Sequence, residues 1–204
     1  MTKPSNIDAV GSQWDQRFAD HGWSAVPDES LVELSVDLAP GTALDLGAGT
    51  GRNALWLART GWDVTAVDAS QVGLTMALEQ ARREGIPLRT LRADLLDFVP
   101  DVGGFDLVVV ANIHLAPNER DAFFARCADA VAPGGYLYVT GHHVDAFGLA
   151  GPPMRERLFD EDYFGTRFPG FTLEILERRE TRADSGDTDD VSVLVWARRD
   201  EGDN

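Results

Sequence analysis

Ala43-Leu44-Asp45-Leu46-Gly47-Ala48-Gly49-Thr50-Gly51-Arg52-Asn53 is the stretch whose reading decides the fold of this 204-residue chain. An apolar run ends in an acidic residue, three alternating glycines follow, and Ala54-Leu55-Trp56-Leu57-Ala58 continues as a helix-like segment. The pattern is strand, glycine loop, helix. Glycine is required where the backbone takes a positive φ or lies too close to another group for a Cβ. The loop ends at a helix N-terminus, where unpaired N–H groups favour an anionic group. The glycines are spaced G-x-G-x-G, not the G-x-G-x-x-G of a dinucleotide loop, and no G-K-[ST] follows them, so this is not a Walker phosphate cradle.

Outward from this loop, strand and helix patterns alternate. Residues 1–13 are polar and expected to fray, and a short helix is expected to begin at Trp14-Asp15-Gln16-Arg17-Phe18. Trp14 and Trp23 suggest a lid, and Glu29 to Leu38 an amphipathic helix capped by Asp28 or Ser30. Thr42–Leu46 reads as the first strand, Trp62–Val67 as the second, ending at Asp68, and Leu88–Leu91 as the third. Phe105–Ala111 is a continuous β-branched run suited to a parallel strand covered on both faces. Helices are expected at Arg52–Arg59, from Gln71 to Glu84 between Ser70 and Gly85 as caps, and from Pro117 to near Ala132. Pro133-Gly134-Gly135 reads as a turn into a fifth strand, Tyr136–Thr140. Residues 141–170 read as irregular, and Phe171–Arg179 and Val191–Arg198 as a hairpin joined by the polar loop Thr181–Asp190. The expectation is a doubly wound α/β fold with a seven-stranded, mostly parallel sheet and a C-terminal antiparallel β-hairpin. It forms one domain: an N-terminal helical lid (1–40), a cofactor-binding core (41–141), a substrate cover (142–170) and the hairpin (171–198).

Composition narrows the classes of function. Hydrophobic residues at 44% and charged residues at 25% are ordinary for a globular domain. A net charge of −16 opposes a general affinity for nucleic acid or anionic membrane, both of which need a basic face. No apolar run approaches the ~20 residues of a membrane span, and Met1–Asn6 lacks the apolar core of a signal peptide. Cys127 stands alone, which excludes an internal disulfide and a cysteine-based zinc cluster. A cytoplasmic protein, monomeric or homodimeric, without nucleic-acid or membrane partners, is the simplest expectation.

The variant Asp-Leu-Gly-Ala-Gly-Thr-Gly resembles the first motif of the class I S-adenosylmethionine-dependent methyltransferases, and the strand–helix order is similar to theirs over nearly the whole chain. In such sheets ligands bind beyond the C-terminal strand ends. There stand Asp45 and the loop, Asp68, Asp94, Asn112 with His114, and Gly141-His142-His143. Asp68 lies 23 residues beyond Asp45, close to the ~20-residue spacing of a ribose-binding acid. The resemblance implies S-adenosylmethionine as cofactor and S-adenosylhomocysteine as product. Gly47, Ala48, Gly49 and Gly51 would let the backbone approach the cofactor, and Asp68 with Ala69 would take the ribose. Asp94 would accept from the adenine amine and Leu95 N–H would donate to the ring. Arg17, with Arg52 as runner-up, would meet the methionine carboxylate. Asp45 would attract the amino group or order the loop, and Asn112 would lie near the cofactor and the reacting groups.

Methyl transfer from a sulfonium is an in-line displacement, so alignment and exclusion of water carry much of the rate. A base is needed only where the acceptor loses a proton. Asn112, His114 and His143 are the catalytic candidates; His114 reads as a base or a positioning donor. His142 and His143 are adjacent, so only one can face a pocket. Their spacing is poor for one metal ion, and no metal is expected. The acceptor expected is a small molecule attacking through O, N, S or a chalcogen, because the loop and the tryptophan-containing N-terminal helix look similar to small bacterial methyltransferases of the tellurite-resistance and thiopurine type. Residues 142–170, with Phe147, Met154, Phe159, Tyr163 and Phe164, are the expected cover. Two rivals stay open: an NAD-dependent oxidoreductase, disfavoured by glycine spacing and by Lys3 being the only lysine, and a non-catalytic cofactor-binding regulator.

Overall fold

A computed structural model describes residues 7–20, 24–182 and 188–202. Trp23, one of the two tryptophans expected to form a lid, and residues 1–6 and 183–187 lie outside the described residues. Seven strands form one sheet: β1 (Thr42–Leu46), β2 (Asp63–Asp68), β3 (Arg89–Arg92), β4 (Phe105–Ala111), β5 (Val131–His142), β6 (Phe171–Arg182) and β7 (Thr188–Arg199). Their order is β3-β2-β1-β4-β5-β7-β6. The pairs β1–β2, β2–β3 and β4–β5 are parallel, while β7 runs antiparallel to both β5 and β6. The doubly wound sheet with a C-terminal hairpin, expected from the alternation of periods, is the fold observed. The chain divides into two compact units, residues 1–99 and 100–204.

The first unit carries β1–β3 with α1 (Ile7–Asp20), α2 (Glu29–Ser35), α3 (Arg52–Arg59) and α4 (Gln71–Glu84). Ser70 and Gly85 cap α4 as the sequence indicates, and of the two candidates for α2 the cap is Asp28. Asp28 accepts from Ser30 N–H at 3.1 Å and Ser70 Oγ from Gly73 N–H at 2.9 Å. Gly85 closes α4 at φ +70°. Leu44, Leu57, Val64, Val67 and Leu74 are buried between the strands and these helices.

One expectation for this unit is corrected: α1 begins at Ile7, not at Trp14. Ile7, Val10, Trp14 and Phe18 repeat at helical spacing. The helix is also docked at close range. A Cβ on Gly11 would lie 2.6 Å from the Ala69 carbonyl oxygen. Packing, rather than local propensity, extends it.

The second unit carries β4–β7 with α5 (Pro117–Ala130) and α6 (Glu161–Phe164). Four successive residues of β4, Leu107–Val110, are fully buried, as a doubly covered parallel strand requires. Strand β5 starts at Val131 rather than Tyr136. Phe105 pairs with Val131 and Leu107 with Tyr136, so Pro133-Gly134-Gly135 bulges out within the strand instead of preceding it. Residues 141–170 hold two short 3-10 turns (144–146 and 155–157) and α6. Of the aromatic residues expected as a cover, Phe159 and Phe164 belong to the core. They pack edge-on against Phe124 at 5.9 and 5.3 Å.

Candidate functional site

In the first unit, the glycine loop is built by three residues at positive φ: Gly47 (+77°), Gly49 (+55°) and Gly51 (+84°). Only glycine adopts this series without strain. A Cβ on Gly49 would meet the Phe18 ring of α1 at 3.0 Å, and one on Gly51 would meet the Ala77 Cβ of α4 at 2.7 Å. Gly73 is equally tight, 2.7 Å from the Gly49 carbonyl oxygen. These absent side chains therefore admit α1 and α4 against the loop, a packing role that motif spacing did not reveal.

The loop is held by Asp68. Its Oδ2 accepts from Gly49 N–H at 2.8 Å and its Oδ1 from Ser70 N–H at 2.7 Å. The carboxylate is 8% exposed. Burial raises its pKa above the usual carboxylate range, while the hydrogen bonds from Ser70, Gly49 and Ala69 oppose the rise. An ionised carboxylate offers about four acceptor positions, so at least one remains for a hydroxyl donor. Asp15 of α1 completes this corner: its Oδ1 accepts from Ser70 Oγ at 2.5 Å and Val72 N–H at 2.9 Å. Asp15 is a structural partner that its sequence position gives no reason to single out.

Asp45 lies 2% exposed at the end of β1, and its Oδ2 accepts from Ala54 N–H at 3.1 Å in the first turn of α3. Burial pushes its pKa up to about 7, and the Asp68 charge adds to the rise. The Arg52 guanidinium and the Ala54 hydrogen bond oppose it. Arg52 also lies 3.9 Å from Asp28, and the buried Asn53 accepts from Asp28 N–H at 2.9 Å. Thus Asp45, Ala48, the three glycines, Asp68 and Ala69 gather around the loop. Asp94 stands apart in the turn after β3, where it caps Leu96 N–H at 3.0 Å beside the half-buried Leu95. Arg17 lies on α1 with its guanidinium 4.9 Å from the centre of the Trp14 ring.

In the second unit, Asn112 follows β4 at φ +58°, the one non-glycine residue with positive φ among those described. Its N–H donates to Thr140 C=O at 2.9 Å. Such strain persists only where surroundings enforce it, often at functional sites. His114 is flanked by two rings, Phe159 at 5.4 Å and His142 at 5.2 Å. Both His114 nitrogens are engaged: Nδ1 with Arg157 C=O at 3.2 Å and Nε2 with the His142 N–H at 3.4 Å. Those partners select the neutral Nδ1–H tautomer. Burial first, and the neighbouring His142 second, lower its pKa to about 4. His143 is 5% exposed; its Nδ1 accepts from Asp145 N–H at 3.1 Å and its Nε2 faces Glu161 at 3.0 Å. His142 points elsewhere, with Nδ1 2.9 Å from Asp190 of β7. The alternation of side chains along an extended strand separates the two histidines, as the sequence indicated. Asp190 lies 48 residues from His142, and only the β5–β7 pairing brings it near.

Residues 43–135 match the family described as "Methyltransferase domain". Two curated relatives carry methyltransferase names. The ubiquinone biosynthesis O-methyltransferase of Caulobacter vibrioides is 31% identical over 138 residues, 67% of this chain and 50% of that protein. The ribosomal RNA small subunit methyltransferase C of Alcanivorax borkumensis is 34% identical over 108 residues, 50% of this chain and 33% of that protein. The chain thus spans between a third and a half of the length of these relatives. Among solved structures, one described under the conversion of a disulfide into a thioacetal in echinomycin biosynthesis has a TM-score of 0.76 at 21% identity. It covers 96% of this chain and 93% of that one. The N-methyltransferase NodS of Bradyrhizobium japonicum, solved with S-adenosyl-L-homocysteine, has a TM-score of 0.72 at 19% identity, covering 93% and 98%. At these identities the structures speak to the fold alone. The stretch that matches a methyltransferase domain contains the loop, Asp45, Asp68, Asp94 and His114.

Proposed function

We propose that the chain transfers the methyl group of S-adenosylmethionine to a small-molecule acceptor. One observation carries the choice of cofactor over a dinucleotide: Gly49 N–H, which a phosphate-binding loop would aim at its ligand, is spent on the Asp68 carboxylate. Two buried acids, Asp45 and Asp68, border the loop; once ionised, as Asp45 is above about pH 7, they repel phosphate and suit hydroxyls and an ammonium group. When bound, the cofactor supplies an activated methyl on a sulfonium. Asp68 accepts from the ribose hydroxyls, and Asp45 with Arg17 or Arg52 meets the amino-acid end. Asp94 and Leu95 take the adenine. Asn112 and His114 position the acceptor; the neutral, doubly hydrogen-bonded His114 is suited to orienting rather than to collecting a proton. His143, tied to Asp145 and Glu161, holds the segment after β5 in place.

The acceptor is proposed to be a thiol, phenol, amine or chalcogen oxyanion, as in the tellurite-resistance and thiopurine-type group. A net charge of −16 weighs against a nucleic-acid acceptor, whose binding draws on neutralising many phosphates. No described helix is long and apolar enough to cross a membrane. Calorimetric titration with S-adenosylmethionine, S-adenosylhomocysteine and NAD tests the reading. Binding of both adenosyl compounds without NAD is expected, followed by methylation within a panel of thiols, phenols, amines and selenite. Binding of NAD alone would overturn it, and methylation of ribosomal RNA but of none of the panel would overturn the acceptor class.

Asp45 adds a pH dependence. Its folded pKa, about 7, lies above the ordinary carboxylate value of 3.8. The folded state therefore holds the extra proton between these values. Stability from this group is full below about pH 4 and declines as pH rises through 7. Asp45→Asn keeps an acceptor for Ala54 N–H and removes the titration. Thermal melts from pH 4 to 8 without cofactor should show the variant losing less stability across this range than wild type. Parallel curves would contradict the buried, proton-holding state.

A further inference from the structure

We infer that His142, oriented by Asp190, is the general base that takes the proton from an acidic X–H acceptor, a phenol or thiol; the inference rests on the methyl-transfer reading above. Three histidines stand near the ends of β4 and β5, and their hydrogen bonds give them different capacities. His114 has both nitrogens engaged, and so has the buried His143. His142 has only Nδ1 engaged, with Asp190 Oδ1 at 2.9 Å; no hydrogen bond to its Nε2 exists among the described residues. A carboxylate on Nδ1–H fixes the tautomer that leaves the Nε2 lone pair outward, and it stabilises the imidazolium once the proton arrives. Asp190 is itself held, accepting from Val191 N–H at 2.7 Å.

The surroundings suit a small aromatic or alkyl acceptor. The His142 side chain is 20% exposed, reachable but mostly desolvated. Its ring stacks on His114, which in turn stacks on Phe159, so one face rests on a rigid aromatic column. Gly141 makes room for that column: a Cβ there would lie 3.0 Å from the Phe159 ring and 3.2 Å from His114. Over the His142 edge runs the strap 147–154. A Cβ on Gly151 would lie 2.6 Å from His142 Cδ2, and the neighbouring Phe147, Leu149 and Met154 are exposed apolar side chains. The charged and titratable groups facing the pair are Asp190 from β7, His114 after β4 and, beyond His114, Arg157. In the reaction, the X–H proton passes to Nε2 and the electron pair left on X forms the bond to the methyl carbon. The carbon–sulfur bond of the donor breaks with its electrons remaining on sulfur.

The test uses 4-nitrophenol, whose phenolate absorbs in the visible where the phenol does not, added to the intact protein at a pH below the probe's own pKa. Wild type is expected to raise the phenolate band several-fold over free probe, and His142→Gln to return it to the free level. Asp190→Asn, which keeps an acceptor for Nδ1–H without the charge, is expected to lose part of the band, and it serves in place of His142→Gln should that variant not fold. A wild-type protein that leaves the probe un-ionised, or a band that persists in a folded His142→Gln or stays undiminished in Asp190→Asn, overturns the proposal. With a methylated acceptor from the panel above, His142→Gln should lower kcat by about 10²–10⁴-fold while leaving calorimetric S-adenosylmethionine affinity within error. Loss of cofactor binding in wild type sinks the methyl-transfer reading by itself; the probe's ionisation decides the base independently.

Discussion

Asp68→Ala is expected to destabilise the protein by about 2–6 kcal/mol, because two N–H donors lose a buried acceptor and each such loss costs about 1–3 kcal/mol. Gly49 and Ser70 are those donors, at 2.8 and 2.7 Å, on opposite sides of one carboxylate. The loop and the start of α4 are tied through this single side chain, so the loss should reach beyond β2. Asp68→Asn retains one carbonyl oxygen but turns an amide NH2 toward the other donor, and it should fall between Ala and wild type. Urea denaturation ranks the three. If Asp68→Ala unfolds at the wild-type midpoint with an unchanged slope, the carboxylate does not hold the loop. In the folded fraction, S-adenosylmethionine affinity should fall by about 1–3 kcal/mol, from the lost acceptor for the ribose hydroxyls. Stability lost with affinity intact would leave Asp68 a purely structural residue.

Gly51→Ala is expected to cost about 2–5 kcal/mol through two separable effects. The residue sits at φ +84°, ψ +21°, where a Cβ adds about 1–2 kcal/mol of backbone strain. The new methyl would also lie 2.7 Å from the Ala77 Cβ, and overpacking of this kind costs about 1–3 kcal/mol. Ala77→Gly removes the collision and leaves the strain, at its own cost of about 1 kcal/mol for glycine within a helix. The double variant should therefore be more stable than the sum of the single changes predicts. Strict additivity in a double-mutant cycle would show that α4 does not press on the loop.

These two residues also show what a linear reading captures. Gly51 was legible as a glycine that had to be glycine, since alternating glycines between a strand and a helix allow few other conformations. Its neighbour Ala77, 26 positions later, was not. Asp68 was legible as the acid at the right distance from the loop, whereas its hydrogen bonds to Gly49 and Ser70 were not. The extension of α1 to Ile7 and the bulge at Pro133-Gly134-Gly135 were missed for a common reason. Each is stabilised by a partner remote in sequence: Ala69 for α1, and β4 for the bulge.

The sequence by itself determined the alternation of strands and helices, the caps at Ser70 and Gly85, the glycine loop and the acids that follow the first three strands. Those features depend on local backbone preference and on the hydrophobic period, and both are written in neighbouring residues. Only the tertiary structure decided which histidine keeps an available nitrogen among the described residues. His114, His142 and His143 are the same side chain within 30 positions, and their difference lies in Arg157, Asp190, Asp145 and Glu161. Two of the farther partners, Arg157 and Asp190, are brought in by the segment that returns past His114 and by strand pairing, so the chemistry of each ring is set by a contact that no local pattern encodes.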